Sequence, residues 1–298
     1  MLDRSHRDFL TGDGYAVLSG LVPDRLLKAA RDVICSFVGA DLERPETWYR
    51  HEPLVWSVVP VHHAQAFWDV RQWPALHDAF AEIWGTEKLW VTMDRGIFKV
   101  PESEGHPDHV DESMLHWDLD LRAASATTYQ AMLFLTDAAS VEGIFECVPS
   151  IFRDLDRYLH EHPGPVLDVP VDVAGHGVVD VPARAGDLVI WDGRLPHQGG
   201  RNRGGRPRVS LAVSMHPEGA NADRRNVSNA GSGNALQLGG VAGRGRSTRS
   251  PVNQLSSLRS VADSSELIVG HSDMRMPPNN TCTGPEFALL APAGERDR

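Results

Sequence analysis

His116, Asp118 and His197 are the residues of this 298-residue chain whose types and spacing could do chemistry. In the stretch MLHWDLDLR (114–122), His116, Asp118 and Asp120 fall at every second position, and alternate residues of an extended strand share a face. His197 follows in WDGRLPHQGG, directly after the strand-like DLVIW. Two imidazoles and one carboxylate form a facial set that holds non-haem iron(II) and leaves the opposite positions open for substrate and O2. Eleven residues after His197 comes Arg208, which with Ser210 makes an R-x-S pair on one face of RVSLAVSM. A guanidinium fork beside a hydroxyl is shaped to grip a carboxylate at two points, and suits the distal end of 2-oxoglutarate. Taken singly, each residue has a plainer role: His116 as a core histidine, His197 as a turn residue after Pro196, Arg208 as a solvated charge. Their order, spacing and context favour the combined reading. Asp120, one pleat further along, would orient a ligand or face solvent.

These residues need a scaffold of strands, and the sequence supplies one. RSHRDFL reads as a short helix, followed by a Gly-Asp-Gly turn and a strand. PDRLLKAARDVICSFVGA reads as a helix with Pro23 in its first turn, and PALHDAFAEIWG as another stopped by Gly85. Residues 45–75 read as loop. From residue 86 the apolar period changes to two in KLWVTMDRGIFKV, HWDLDL, TYQAMLFLTD, GIFECVP, GDLVIWDG and RVSLAVSMHP, all rich in β-branched and aromatic residues. PSIFRDLDRYLHEH (149–162) interrupts them as one helical insertion. The expected class is mainly β with flanking helices. Residues 1–220 read as one domain, with a helical part over 1–85 and a β core over 86–217. Residues 221–298 are Gly-, Ser-, Asn- and Arg-rich, lack sustained periodicity, and read as a divergent, poorly ordered tail.

Composition narrows the partners. A formal net charge of -11 argues against a nucleic-acid groove or an anionic membrane surface. Cys35, Cys147 and Cys282 are odd in number and far apart, which fits neither a disulfide framework nor a CxxC zinc site. No signal-peptide core and no apolar run approaching a membrane span is present. The expectation is a soluble, cytoplasmic protein acting on a small molecule, with oligomeric state left open. His106, His109 and Asp111, in EGHPDHVDES, make a second conceivable metal cluster, but Pro107 and the dense acidic residues favour a lid loop.

FLTGDGYAVLSGLVPDRLL, HWDLDL, YQAMLFLTDAASVEGIFECVPSIFRDL and PARAGDLVIWDGRLPHQGGRNRGGRPRVSLAVSMHP together resemble the phytanoyl-CoA dioxygenase family of iron(II)/2-oxoglutarate oxygenases, over about residues 8–217. The resemblance implies a double-stranded β-helix (jelly-roll, cupin-like) core, with iron held at His116, Asp118 and His197. It also implies 2-oxoglutarate at Arg208, with Ser210, Gln130 and Lys99 as further cosubstrate candidates and Phe98 and Trp117 as substrate-pocket candidates. Trp48, Trp56, Trp68, Trp73 and the His62–His63 pair fall in the half where such enzymes build substrate pockets. A carboxylate at Asp118 favours hydroxylation, because related halogenases carry a small residue there. The implied reaction hydroxylates an unactivated C–H bond and releases succinate and CO2. Absence of a basic cluster for nucleotide phosphates favours a small metabolite or natural-product scaffold over an acyl-CoA. The competing readings are a jelly-roll metal-binding module with a vestigial site, and a cupin-type metal isomerase or hydrolase that does not use 2-oxoglutarate.

Overall fold

The computed structural model describes residues 2–92, 95–111, 113–122, 128–167 and 169–218. The tail expected over 221–298, and Cys282 within it, lie outside the described residues.

Six helices occur among the described residues: α1 (Arg4–Gly12), α2 (Asp24–Val38), α3 (Gln65–Arg71), α4 (Pro74–Trp84), α5 (Pro149–Arg153) and α6 (Leu155–Glu161). The strands are β1 (Tyr15–Leu18), β2 (Val58–Val59), β3 (Leu89–Val91), β4 (Gly96–Lys99), β5 (Tyr129–Phe134), β6 (Phe145–Cys147), β7 (Val179–Val181), β8 (Leu188–Asp192), β9 (His197–Gly199), β10 (Arg208–Ala212) and β11 (Met215–Pro217). Sheet pairings are antiparallel throughout. A six-stranded sheet runs β1-β8-β5-β10-β4-β2, a three-stranded sheet runs β7-β6-β9, and β11 pairs with β3. No helix among the described residues is long and apolar enough to cross a membrane.

The period of two in the sequence becomes two cores on opposite faces of the large sheet. On one face Leu188 and Ile190 of β8, Ala131 and Leu133 of β5, Val209 and Leu211 of β10 and Phe98 of β4 pack against Leu26, Leu27, Ala30 and Ile34 of α2 and Phe80 of α4. Those α2 positions recur at helical spacing, and the helix ends where Gly39 takes a left-handed φ of 69° and donates to Cys35 and Ser36 carbonyls. On the other face Val189 and Trp191 of β8 and Met132 and Phe134 of β5 meet Phe145 and Cys147 of β6. The three-stranded sheet therefore covers the face on which Arg208, Ser210, Lys99 and Gln130 also stand by alternation.

Gly96 is where α2 meets the sheet most closely. A Cβ there would fall 2.6 Å from Ile34 Cγ1 and 2.8 Å from its Cδ1. Gly96→Ala should cost roughly 1–3 kcal/mol through overpacking, read as a lowered midpoint in urea unfolding with unchanged slope. An unchanged midpoint would mean that α2 shifts freely on the sheet.

Several sequence expectations need correction. HWDLDL is not a strand: His116 and Trp117 make isolated bridges to His197 and Leu167, and the chain then bends. Asp120 drives part of this bend, since its Oδ1 accepts the Arg122 amide at 3.0 Å. The insertion at 149–162 is two helices, broken at Asp154, whose φ and ψ of -128° and 42° are not helical. Pro23 precedes α2 as its N-cap rather than lying in its first turn. The segment 45–75 holds β2 and α3, both too short for an apolar period to show.

Candidate metal and cosubstrate site

Local backbone pairing places the first two candidate ligands. His116 and His197 exchange both amide-to-carbonyl hydrogen bonds, at 3.0 and 3.1 Å, so their side chains leave the same face of a narrow antiparallel pair. Their ring centroids lie 4.8 Å apart. Asp118, one alternation beyond His116, brings Oδ1 to 3.5 Å from His116 Nε2 and Oδ2 to 3.3 Å from His197 Nε2. Ligand atoms from these three residues all lie within 4.8 Å of one another, the one group of metal-ligating side chains of this kind found among the described residues.

Backbone carbonyls set the tautomers. Nδ1 of His116 lies 2.7 Å from the Met114 carbonyl, and Nδ1 of His197 lies 3.0 Å from that of Leu195. A carbonyl only accepts, so each Nδ1 carries a proton and Nε2 is the atom that each ring aims at the centre. Burial raises the Asp118 pKa, but Nε2–H bonds from His116 and His197, together with their charge, outweigh it and hold the carboxyl well below its usual range; a metal would take the place of those two protons. With those protons displaced, two lone pairs and an ionised carboxylate would face one point. The donor set fits a divalent metal.

Phe145 stacks on the His197 ring with centroids 5.8 Å apart, and Trp191 lies against it at 4.9 Å. This apolar packing fixes His197 on its strand. Gln130 on β5 donates from Nε2 to Asp118 Oδ2 at 2.7 Å, while its Oε1 accepts from Trp191 Nε1 at 3.1 Å.

Arg208 is 2% exposed, and no carboxylate pairs with it among the described residues. Its Nη1 contacts Met132 Sδ at 2.9 Å and its guanidinium lies over the Phe134 ring at 5.8 Å. Arg208 Nε and Ser210 Oγ, both buried, have no hydrogen-bond partner among the described residues. Burial lowers the Arg208 pKa to about 10, which leaves it cationic at neutral pH. A buried cation beside an unsatisfied hydroxyl is costly unless an anion completes it. Arg208 also lies close to the candidate metal ligands: a Cβ on Gly199, two residues after His197, would come within 3.6 Å of Arg208 Nη2 and 3.3 Å of Lys99 Nζ. Gly199 keeps that space clear.

Lys99 is already engaged. Its Nζ lies 2.7 Å from Asp111 Oδ2 and 2.8 Å from each of the Gly199 and Gly200 carbonyls. Burial and the Arg208 charge pull its pKa down to about 8 against the opposing pull of Asp111. Asp111 in turn accepts from Ser57 Oγ at 2.7 Å and from the Ser113 amide at 2.9 Å, so one carboxylate ties two loops to β4. The loop histidines are elsewhere occupied: His106 stacks on Tyr49 at 4.2 Å, and His109 packs edge-on against Tyr49 and His51.

Two candidates from the sequence are displaced from the site. Phe98 points to the helix side of β4, opposite Lys99, and is part of the core there. Trp117 is 2% exposed, donates to the Arg194 carbonyl at 2.8 Å and packs with Val148, Ile151 and Tyr158. Alternation sends both side chains away from the face that carries the ligands. Trp48 and Trp68 are buried, and Trp73 packs on the helix-side core. His62 and His63 pack edge-to-face, with centroids 4.9 Å apart. Trp56 is 67% exposed, and it and Ser57 hold left-handed φ values of 53° and 59°, uncommon for residues with a Cβ. Asp111, read from the sequence as part of a conceivable second metal cluster, pairs with Lys99 instead, and Trp191 and Gly199 were missed by sequence reasoning. The Gly-Gly pair directly after His197 was the available signal for close backbone approach.

The profile described as phytanoyl-CoA dioxygenase (PhyH) matches residues 10–210, which span every residue of this site. The chain belongs to the phytanoyl-CoA dioxygenase family. Solved structures with the same fold include the epimerase SnoN from nogalamycin biosynthesis, in complex with Fe3+, α-ketoglutarate and nogalamycin RO. It is 17% identical, with a TM-score of 0.52 over 72% of this chain and 82% of that one. The non-heme α-ketoglutarate-dependent carbocyclase SnoK from the same biosynthesis is 21% identical, with a TM-score of 0.51 over 76% of this chain and 90% of that one. No curated protein matches the sequence. Membership of the phytanoyl-CoA dioxygenase family makes this chain one of a group of iron- and 2-oxoglutarate-dependent enzymes, and the His116, Asp118 and His197 cluster and Arg208 all lie within the matched residues.

Proposed function

We propose that this protein is an iron(II)/2-oxoglutarate-dependent oxygenase that hydroxylates an unactivated C–H bond of a small metabolite or natural-product-like scaffold. The observation that carries the reading is the pairing of a two-His, one-carboxylate cluster with a buried arginine that has no carboxylate partner among the described residues and lies against Gly199, two strand residues after His197. His116, Asp118 and His197 would hold the metal. Arg208 and Ser210 would take the distal carboxylate of 2-oxoglutarate, with two strand residues, about 7 Å of rise, separating His197 from Gly199. Bound iron(II), with 2-oxoglutarate and O2, supplies the oxidising power for C–H cleavage and yields succinate and CO2.

The chain's own residues bind and orient. Nδ1 bonds to the Met114 and Leu195 carbonyls hold both imidazoles with Nε2 inward. Met132 and Phe134 lie against Arg208, Phe145 and Trp191 lie against His197, and this apolar surface would keep water from both. Asp118, 43% exposed, lies toward the open side, where substrate would enter. The carboxylate at this position supports hydroxylation over halogenation, since it leaves no ligand position for halide. The two facing sheets are consistent with a double-stranded β-helix, and we assign residues 1–220 to one oxygenase domain on that basis.

Release of succinate from 2-oxoglutarate, dependent on added iron(II), tests this reading. The oxygenase reading expects a slow basal rate with no substrate and stimulation by a screened compound. A metal-binding module, or an isomerase or hydrolase with this cluster, would release no succinate under any condition, and that result would overturn it.

A further inference from the structure

The geometry points to Gln130 and Trp191 as a two-residue relay that positions Asp118 for the metal by occupying one of its two carboxylate oxygens. This inference rests on the metal reading of His116, Asp118 and His197 given above, and adds two residues that would not themselves bind metal, cosubstrate or substrate.

An amide side chain has a donor end and an acceptor end, and either could face Asp118. Trp191 decides between them. An indole N–H can only donate, and it lies 3.1 Å from Gln130 Oε1. The oxygen is therefore held toward Trp191, and the NH2 group is held toward Asp118, where it donates to Oδ2 at 2.7 Å. Trp191 is itself immobile: it is 5% exposed, tilted against Phe145 at 4.6 Å and against the His197 ring at 4.9 Å. Gln130 and Trp191 are directly opposite in the register of β5 and β8, so the relay is built across one rung of the sheet.

Asp118 needs this support because its backbone supplies little. It lies past the isolated bridge of His116 and Trp117, where the chain bends, and its side chain is the most exposed of the three candidate ligands. A carboxylate on a bend can rotate, present both oxygens to a metal, or swing into solvent. With Oδ2 accepting from Gln130, Oδ1 is the oxygen favoured as a single-point ligand. That choice keeps the remaining coordination positions open for a chelating keto acid and O2, which a two-point carboxylate would reduce by one.

Anaerobic iron(II) titration of the full chain, with and without 2-oxoglutarate, tests the relay in four proteins: wild type, Gln130→Met, Trp191→Phe and the double variant. Methionine matches the length of glutamine without its donor, and phenylalanine removes the indole N–H while keeping a ring. Circular dichroism melts select proteins that fold as wild type does. Gln130→Met should weaken iron(II) binding about 10- to 100-fold, as loss of an outer partner of a metal ligand typically does, and should change the position or intensity of the visible iron–keto-acid band. Trp191→Phe should cause a smaller loss in the same direction, and no further loss when added to Gln130→Met, because both act along one chain of hydrogen bonds. Wild-type affinity and an unchanged band in a folded Gln130→Met would overturn the relay while leaving the metal reading intact. If Gln130→Met misfolds, Trp191→Phe alone decides, and iron binding equal to wild type overturns the relay. Failure of the wild-type protein itself to bind iron(II) would instead overturn the metal reading and the relay with it.

Discussion

Asp118→Ala should abolish tight iron(II) binding and 2-oxoglutarate turnover while leaving the protein folded. The carboxylate supplies the one formal negative charge of the three-residue cluster, and its removal leaves two imidazoles that by themselves hold a divalent cation weakly. Little of the fold depends on it: Asp118 is 43% exposed, lies on a bend, and bonds within the cluster and to Gln130. His116→Ala and His197→Ala should lose iron equally. His197→Ala should also lose stability, because its buried ring packs against Phe145 and Trp191. Equilibrium iron(II) titration beside thermal melts separates the two effects. Full activity in Asp118→Ala would contradict the assignment of the ligand set.

Arg208→Ala should raise the 2-oxoglutarate concentration needed for half-maximal turnover by about 10- to 150-fold, since a hydrogen bond to a charged group contributes roughly 1.5–3 kcal/mol net. Arg208→Lys should recover only part, because an ammonium cannot form the planar fork and Lys99 already places one beside the same strand. A second, opposite effect separates function from structure. The guanidinium is buried with no carboxylate partner among the described residues, so Arg208→Met should leave the cosubstrate-free protein as stable as wild type or more so. Added 2-oxoglutarate should then raise the wild-type melting temperature and leave that of Arg208→Met unchanged. An unaltered 2-oxoglutarate requirement in Arg208→Ala would make Arg208 a structural residue only.

The clustering of His116, Asp118 and His197 was legible in the sequence because it depends on residue type and alternation, which survive even where HWDLDL is a bent segment with isolated bridges and not a strand. Arg208 and Ser210 were legible for the same reason, since β10 forms with both on one face. The alternation also carried the information that moved Phe98 and Trp117 out of the site, had it been applied to them as strictly as to His116 and Asp118. Gln130 could be placed on the correct face but not given its partner, because the contact to Trp191 is set by the register of β5 against β8, and register depends on non-local pairing. Asp111 reads in the sequence as one acid among several in a loop. Its pairing with Lys99 arises from a loop closing over β4, which no local spacing encodes.

The most direct test of the central claim is optical. Anaerobic addition of iron(II) and then 2-oxoglutarate to the protein should produce a weak visible metal-to-ligand charge-transfer band, which requires metal and keto acid to share one pocket. The band should fail to form in Asp118→Ala and should need far more 2-oxoglutarate in Arg208→Ala. Folded, iron-loaded protein that gives no band at saturating 2-oxoglutarate would contradict the account.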